Sequence, residues 1–331
     1  MIQKKIRKTL PRQVRWLGLI GLALLTAGAH AQSAYPTKPI RLIVAFGPGS
    51  VNDAMARELA KSLYESLGQT VVVENKPGAG GITGTDFVAR AAPDGYTLGF
   101  GTSSQLVMNV GLYKKLAFDV DHDIKPIGLV SKTPLALVVK GDGPATLSDL
   151  VKQAKAKPDS FTFASSGVGS INHISGEAFA RQAAIKIVHV PYKGATAAAI
   201  DLAGGRVDMM LVTVSSTAGL AEQGKVRVLA SGQGKRNPAM PDVPTFSEAG
   251  LPGYDAYTWN NLFAPAKTPP EIMQKLNVAL NRALVDPAVV AFASKNSAQI
   301  LGPTSLEQAL LFEQKERATW VPLIRGLNIE P

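Results

Sequence analysis

The stretch RLIVAFGPGSVNDAMARELAKSL, residues 41–63, decides the fold class. Residues 42–46 form an apolar run bounded by a Gly/Pro loop, the pattern of a buried strand. Beyond the loop, from Asn52 or Asp53 onward, Ala56, Leu59, Ala60, Leu63 and Leu67 recur on one helical face, and Gly68 stops the helix. A strand that turns directly into a helix aims several backbone N–H groups, and the positive end of the helix dipole, at one spot. That spot suits a carboxylate or phosphate without any basic side chain. The same turn also serves as the plain first connection of an α/β domain.

Short apolar runs alternate with helical segments along most of the chain, which predicts an α/β fold with mainly parallel sheets flanked by helices. Strands are expected over 41–46, 70–74, 97–101, 127–130, 135–139, 161–164, 187–190, 209–212 and 226–230. Helices are expected over 53–67 and 147–156, with N-caps at Thr146 or Ser148 and at Asn172. After Tyr257 the pattern changes to a short strand, 262–265, and three helices, 270–285, 287–295 and 305–323. Domain crossings fall near 131–134 and 251–257. No internal repeat and no low-complexity linker are evident.

Lys4, Lys5, Arg7, Lys8, Arg12 and Arg15 precede an apolar run over 16–26 and then Ala29-His30-Ala31. This is the layout of a secretory signal, residues 1–31, cleaved after Ala31. Removing its six positive charges from the formal net charge of +10 leaves +4, so the basic character is mostly a targeting feature. No basic patch interleaved with aromatics points to nucleic acid. The 331 residues include no cysteine, which removes disulfides, thiol nucleophiles, Cys-held metals and a lipoprotein anchor. Length suggests two domains, and an exported, cysteine-free chain suits a periplasm.

Two further loops repeat the strand-end arrangement. FASSGVGSIN, residues 163–172, carries the hydroxyls of Ser165, Ser166 and Ser170 into a helix start, and GTSS, residues 101–104, follows the strand at 97–101. Ligands of open α/β sheets gather beyond the carboxyl ends of strands, where all three loops lie. Tyr192-Lys193-Gly194-Ala195 places a phenol and an ammonium in a fourth strand-end loop, where a solvated surface lysine is the plainer reading.

Catalytic chemistry has little to stand on. Beyond the signal the histidines are His122, His173 and His189. His173 and Glu177 lie one helical turn apart but lack further metal ligands. His189 sits within an apolar strand, as a core or cleft histidine does. No G-x-S-x-G elbow occurs. Gly219–Val226 imitates a phosphate loop but ends in valine where magnesium needs a hydroxyl, and the G-x-G pairs at Gly78/Gly80 and Gly167/Gly169 lack a third glycine. No enzyme activity, cofactor or metal is expected.

YPTKPIRLIVAF (35–46), VVVENKPGAGG (71–81), PDGYTL (93–98), HVPYKG (189–194), PDVPTFSEAGLPGY (241–254) and LFAPAKTP (262–269) are long, ordered and co-linear. By them the chain resembles the Bug-type, TctC-like periplasmic solute-binding proteins of tripartite tricarboxylate transporters, from Tyr35 to the C-terminus. The resemblance implies a two-domain periplasmic binding protein of type II, a flytrap, with domain 1 over 32–131 and 255–331 and domain 2 over 132–254. It implies a monomer in the periplasm that captures a small carboxylate solute and presents it to two integral-membrane transporter subunits. The same closed form would also serve a sensory module for a membrane signalling partner. In the family the carboxylate is held mainly by backbone amides and hydroxyls of two loops, which match residues 46–52 and 165–170 here. With the neighbouring strand ends, the ligand-binding residues expected are Phe46, Gly49, Ser50, Val51, Asn52, Thr102, Ser103, Ser165, Gly167, Val168, Ser170, Tyr192, Val212 and Thr213.

Two departures from the family pattern bear on the solute. Ser50 and Val51 stand where the family has glycine and a hydroxyl residue, so Val51 offers only its N–H. Val212 stands where the family commonly has aspartate, which makes the distal half of the site more apolar. The expected solute is a monocarboxylate with an apolar or aromatic remainder.

Overall fold

In a computed structural model the residues described are 35–232, 234–237, 240–327 and 329. The signal segment and its cleavage after Ala31 lie outside them. The chain divides into an N-terminal unit, Met1–Thr37, and a larger unit, Lys38–Pro331, which carries everything described below.

The quoted stretch folds as its pattern demands. β1 (Ile40–Val44) is almost wholly buried, and α1 (Val51–Leu67) follows the Gly/Pro loop. Ser50 rather than Asn52 starts the helix: its side chain accepts the N–H of Asp53, while Gly68, at φ 67°, closes the other end by donating to the Tyr64 carbonyl. The helix buries Met55, Ala56, Leu59, Ala60, Leu63 and Leu67. Each fully buried leucine contributes about 1.5–3 kcal/mol.

The remaining strands are β2 (Val71–Asn75), β3 (Thr97–Thr102), β4 (Ile124–Lys140), β5 (Thr162–Ser165), β6 (Val188–Pro191), β7 (Met209–Thr213), β8 (Val226–Ser231), β9 (Tyr257–Pro265) and the short β10 (Gln299–Ile300). The helices are α2 (Ile82–Ala89), α3 (Asn109–Leu112), α4 (Leu147–Ala156), α5 (Ile171–Ala183), α6 (Ala195–Ala203), α7 (Ala218–Glu222), α8 (Pro270–Ala283), α9 (Pro287–Lys295) and α10 (Leu306–Arg325). A π-helical turn, Ser104–Met108, leads into α3. Thr146 caps α4 as expected, and Ser170, not Asn172, caps α5.

The sheet runs β2-β1-β3-β9-β4-β7-β5-β6, with β8 and β10 also paired to β4. Two parallel triplets, β2-β1-β3 and β7-β5-β6, flank an antiparallel centre made by β4 and β9. The expected pair of strands at 127–130 and 135–139 is thus one 17-residue strand that continues through Pro134. Its first part pairs with β9, and from Leu135 onward it pairs with β7 and β8. Proline is tolerated because the partner changes there: the ladder resumes with the Leu135 N–H donating to Ala256. The expected short strand at 262–265 likewise starts five residues earlier, at Tyr257.

One apolar cluster reaches from Ile43, Leu106 and Phe263 beside the first triplet to Phe163, Phe179 and Leu211 beside the second. A second cluster, with Ala136, Val138, Met210 and Val212, lies under α6. α10 is held to β9 by buried polar groups. Glu316 accepts from the Tyr257 hydroxyl at 2.6 Å and the Trp259 indole N–H at 2.9 Å, and Glu313 accepts from the Asn261 amide.

Candidate functional site

Strand register shows where the two triplets point. β3 ends at Thr102, opposite Asn260 of β9, and Asn260 lies opposite Ser131 of β4. β7 runs the other way along β4 and ends at Thr213, opposite Leu135. The carboxyl ends of both triplets therefore converge on the middle of β4, between Ser131 and Leu135, a span of about 13 Å at the usual rise per residue. The loops after β1, β3, β5, β6 and β7 all face this stretch.

Two of these loops are copies of one another, which corrects the expectation that the chain has no internal repeat. Gly47-Pro48-Gly49-Ser50-Val51-Asn52-Asp53 and Gly167-Val168-Gly169-Ser170-Ile171-Asn172-His173 share the pattern G-x-G-S-[V/I]-N-x without a gap. In both, the second glycine is left-handed, Gly49 at φ 80° and Gly169 at φ 75°. In both, the serine N–H donates to the first glycine's carbonyl, at 3.3 Å in Ser50 and 3.2 Å in Ser170. In both, the serine hydroxyl caps the helix, accepting from Asp53 N–H at 3.2 Å and from His173 N–H at 3.3 Å.

The last residue of each loop folds back on the second glycine. The Gly49 N–H donates to Asp53 Oδ2 at 2.9 Å, and the Gly169 N–H to His173 Nδ1 at 3.2 Å. Among the described residues, the N–H groups of Val51 and Asn52 in one loop, and of Val168, Ile171 and Asn172 in the other, have no acceptor. The first turn of a helix leaves such donors free by construction. Two matched sets of donors, each backed by a helix dipole, suit an anion.

The side chains expected to bind are mostly occupied in shaping the loops. Ser165 is fully buried; its hydroxyl is 2.7 Å from His189 Nε2 and accepts the Gly167 N–H at 3.1 Å. Ser170 donates to the Gly167 carbonyl at 2.7 Å, Tyr192 donates its phenol to Asp201 at 2.9 Å, and Thr213 pairs with Ser216 at 2.8 Å. Phe46 offers its carbonyl to Asn75 at 2.9 Å. Ser103 is buried against the Thr258 hydroxyl at 3.0 Å, and the buried Thr102 Oγ1 has no partner among the described residues. Val212 is 1% exposed in the apolar cluster under α6. Its side chain packs in the core, so the apolar distal half expected from it does not arise there. Val51 and Val168 are instead 45% and 42% exposed on the twin loops. Lys193 is exposed.

Sequence reading missed the residue that ties the loops together. Asn260 Nδ2 donates to Asn52 Oδ1 at 3.1 Å and to the Gly101 carbonyl at 3.4 Å, and Ser131 donates to Asn260 Oδ1 at 3.2 Å. The first loop, the β3 end and the middle of β4 thus meet on one buried amide. The signal was available as polar Thr258, Asn260 and Asn261 inside an otherwise apolar strand.

Electrostatics distinguish the twins. Burial alone would raise the Asp53 carboxyl, but hydrogen bonds from Arg57, Gly49 and Asn75 outweigh it and hold the group below its ordinary range. In the second loop His173 stacks on His189 with ring centres 3.7 Å apart and an 11° tilt. Burial, and then the neighbouring His173, hold His189 down to about 4 against the opposing pull of Glu177. Apart from the loops, a groove of about 600 Å³ opens between α10 and the start of β4, lined by Ile124, Lys125, Gln314, Arg317 and Val321; it shares no residue with the three strand-end loops.

A sheet with two parallel triplets whose strand ends oppose each other is the architecture of a periplasmic solute-binding protein. The solved periplasmic binding protein BugD is 33% identical to this chain, covers 89% of it and 99% of itself, and superposes with a TM-score of 0.80. Rhodopseudomonas palustris Rpa4515, solved with adipate, is 31% identical over 90% of this chain and 99% of its own, with a TM-score of 0.82. BugT of Bordetella pertussis is 37% identical over 94% of this chain and 97% of its own length. The chain belongs to the TctC family, the tripartite tricarboxylate transporter family receptors, which it matches over residues 55–329. The family and the fold are those of substrate-binding proteins rather than enzymes.

Proposed function

We propose that this protein captures a small carboxylate solute between its twin loops and delivers it, in the periplasm, to two integral-membrane subunits of a tripartite tricarboxylate transporter. The observation that carries this reading is the pair of matched loops, each presenting unpartnered backbone N–H groups toward the middle of β4. Phe46, Gly49, Ser50, Val51 and Asn52 form one wall, and Ser165, Gly167, Val168 and Ser170 the other. Thr102, Ser103, Tyr192 and Thr213 border them. Backbone donors meet the carboxylate, while the hydroxyls of Ser50, Ser165 and Ser170 hold those donors in place.

Residues 32–131 with 255–331 act as one lobe and 132–254 as the other, closing about the chain near 131–134 and 251–257. The exposed side chains of Val51 and Val168 favour a solute with one carboxylate and an apolar remainder. The structural neighbour Rpa4515 was solved with adipate, whose methylene chain is apolar between its two carboxylates. Thermal-shift and calorimetric titration with hexanoate, adipate, malate and citrate tests the proposal. Stabilisation should grow with ligand concentration, strongest for hexanoate and adipate. Stabilisation by citrate alone would overturn the apolar remainder, and no response to any carboxylate would overturn the whole reading.

A further inference from the structure

The twin loops differ at one chemically decisive position. Asp53 closes the first with a carboxylate and His173 closes the second with an imidazole, each accepting the N–H of the left-handed glycine. A carboxylate held below its ordinary range remains an acceptor across the physiological pH span. Imidazole does not: a neutral ring accepts at Nδ1, whereas a protonated ring carries hydrogen on both nitrogens. At 3.2 Å a protonated Nδ1 would face the Gly169 N–H donor to donor.

We propose that His173 is the positioning residue of the second loop: its neutral Nδ1 holds Gly169 in the turn that aims the loop's donors at the solute, and protonation undoes that turn. The inference rests on the carboxylate reading above. His173 is 4% exposed, with the His189 ring stacked on it from β6, Phe163 beside it from β5, and Glu177 Oε1 3.7 Å from its Nε2 one turn along α5. Leu112 of α3 packs on Gly169 itself, since a Cβ there would lie 2.3 Å from Leu112 Cδ2. Glu177 and His189 are the titratable groups that face the His173 ring. His189, held down to about 4, stays neutral over the range in which the switch would act.

The consequence is an affinity that falls on acidification, opposite to what an imidazolium attracting an anion would give. Adipate affinity of the wild-type protein, measured by calorimetry from pH 8 to 5.5, should fall about tenfold beyond the change due to adipate's own titration, the effect of losing one hydrogen bond. His173→Asn keeps an acceptor at the place Asp53 fills in the twin but removes the titration, so its residual pH profile should be flat. A wild-type affinity that rises on acidification, or a His173→Asn profile with the wild-type slope, overturns the proposal. Absence of adipate binding at pH 8 would instead count against the carboxylate reading for this probe. Independently of any ligand, the Gly169 amide resonance should move with the titration of the His173 ring. An amide that ignores that titration overturns the proposal as well.

Discussion

Asp53 and His173 occupy the same place in two copies of one loop, each reaching back to the N–H of a left-handed glycine, at 2.9 and 3.2 Å. The equivalence extends through cap, turn and helix start. One loop belongs to each parallel triplet, so the fold carries two versions of a single device. The copies differ in what closes them and in what surrounds them, and these differences can be measured.

The two glycines should respond unequally to the same substitution. Gly49→Ala meets open space and carries only the left-handed strain of about 1–2 kcal/mol. Gly169→Ala carries that strain and also drives its new methyl into Leu112, for a further ~1–3 kcal/mol. Urea unfolding of both variants should show the larger loss at Gly169, and the double change Gly169→Ala, Leu112→Ala should recover part of the steric share.

Removing the amide that joins the first loop, β3 and β4 should cost both stability and binding. Asn260→Ala leaves the Asn52 amide oxygen and the Ser131 hydroxyl without their buried partner, a loss of about 1–3 kcal/mol. Asn260→Asp should be worse than alanine at neutral pH, because a carboxylate cannot donate to Asn52 Oδ1 or the Gly101 carbonyl. Chemical denaturation reads the first effect and adipate titration the second.

The hold of α10 on β9 depends on Glu316. Glu316→Leu strands the Tyr257 hydroxyl and the Trp259 indole N–H in the interior, at about 1–3 kcal/mol for each donor. Unfolding followed by tryptophan fluorescence should shift to lower denaturant concentration. The Tyr257 phenol, raised by burial and by the Glu316 carboxylate, should return toward its ordinary range if the loosened helix admits water.

Stability should depend on pH through two buried groups acting in opposite directions. His189, held down to about 4 by burial, favours the folded state while neutral. Its contribution is present above about 6.5 and is lost as pH falls from there toward 4. Glu313, pushed up to about 7 by burial, contributes stability that is full below its ordinary value and is lost as pH rises toward 7. The two oppose each other between about pH 4.5 and 7. His189→Gln should therefore remove the rising contribution of His189, so that stability falls more steeply with rising pH than in the wild type, as thermal unfolding at a series of pH values will show.

Local patterns were enough for the elements that make up the twin loops. A buried strand, a Gly/Ser loop and an amphipathic helix are each specified within a few residues, and the stretch at 41–63 announces all three. Helix ends such as Gly68 and the start at Pro287 are legible for the same reason. The sequence marks the loops as candidate sites and points their serines at the ligand, whereas in the fold Ser165 and Ser170 bond their own loop. Whether Ser165 or Ser170 faces outward or turns back to bond its own loop depends on φ at Gly167 and Gly169, which composition does not reveal.

What the chain alone determined was therefore an α/β fold with glycine- and serine-rich loops at its strand ends, because strand, loop and helix are each specified by residues close together in sequence. Tertiary structure decided the rest. β4 runs straight through Pro134 because β9 pairs with it before that residue and β7 and β8 after it, a switch of partners between segments remote in sequence. Val212 belongs to the core because α6 covers its face of β7. Asn260 became the meeting point of the first loop and the strand ends only when β9 was laid between β3 and β4, for contacts between distant segments are fixed by register, and register is a property of the assembled sheet.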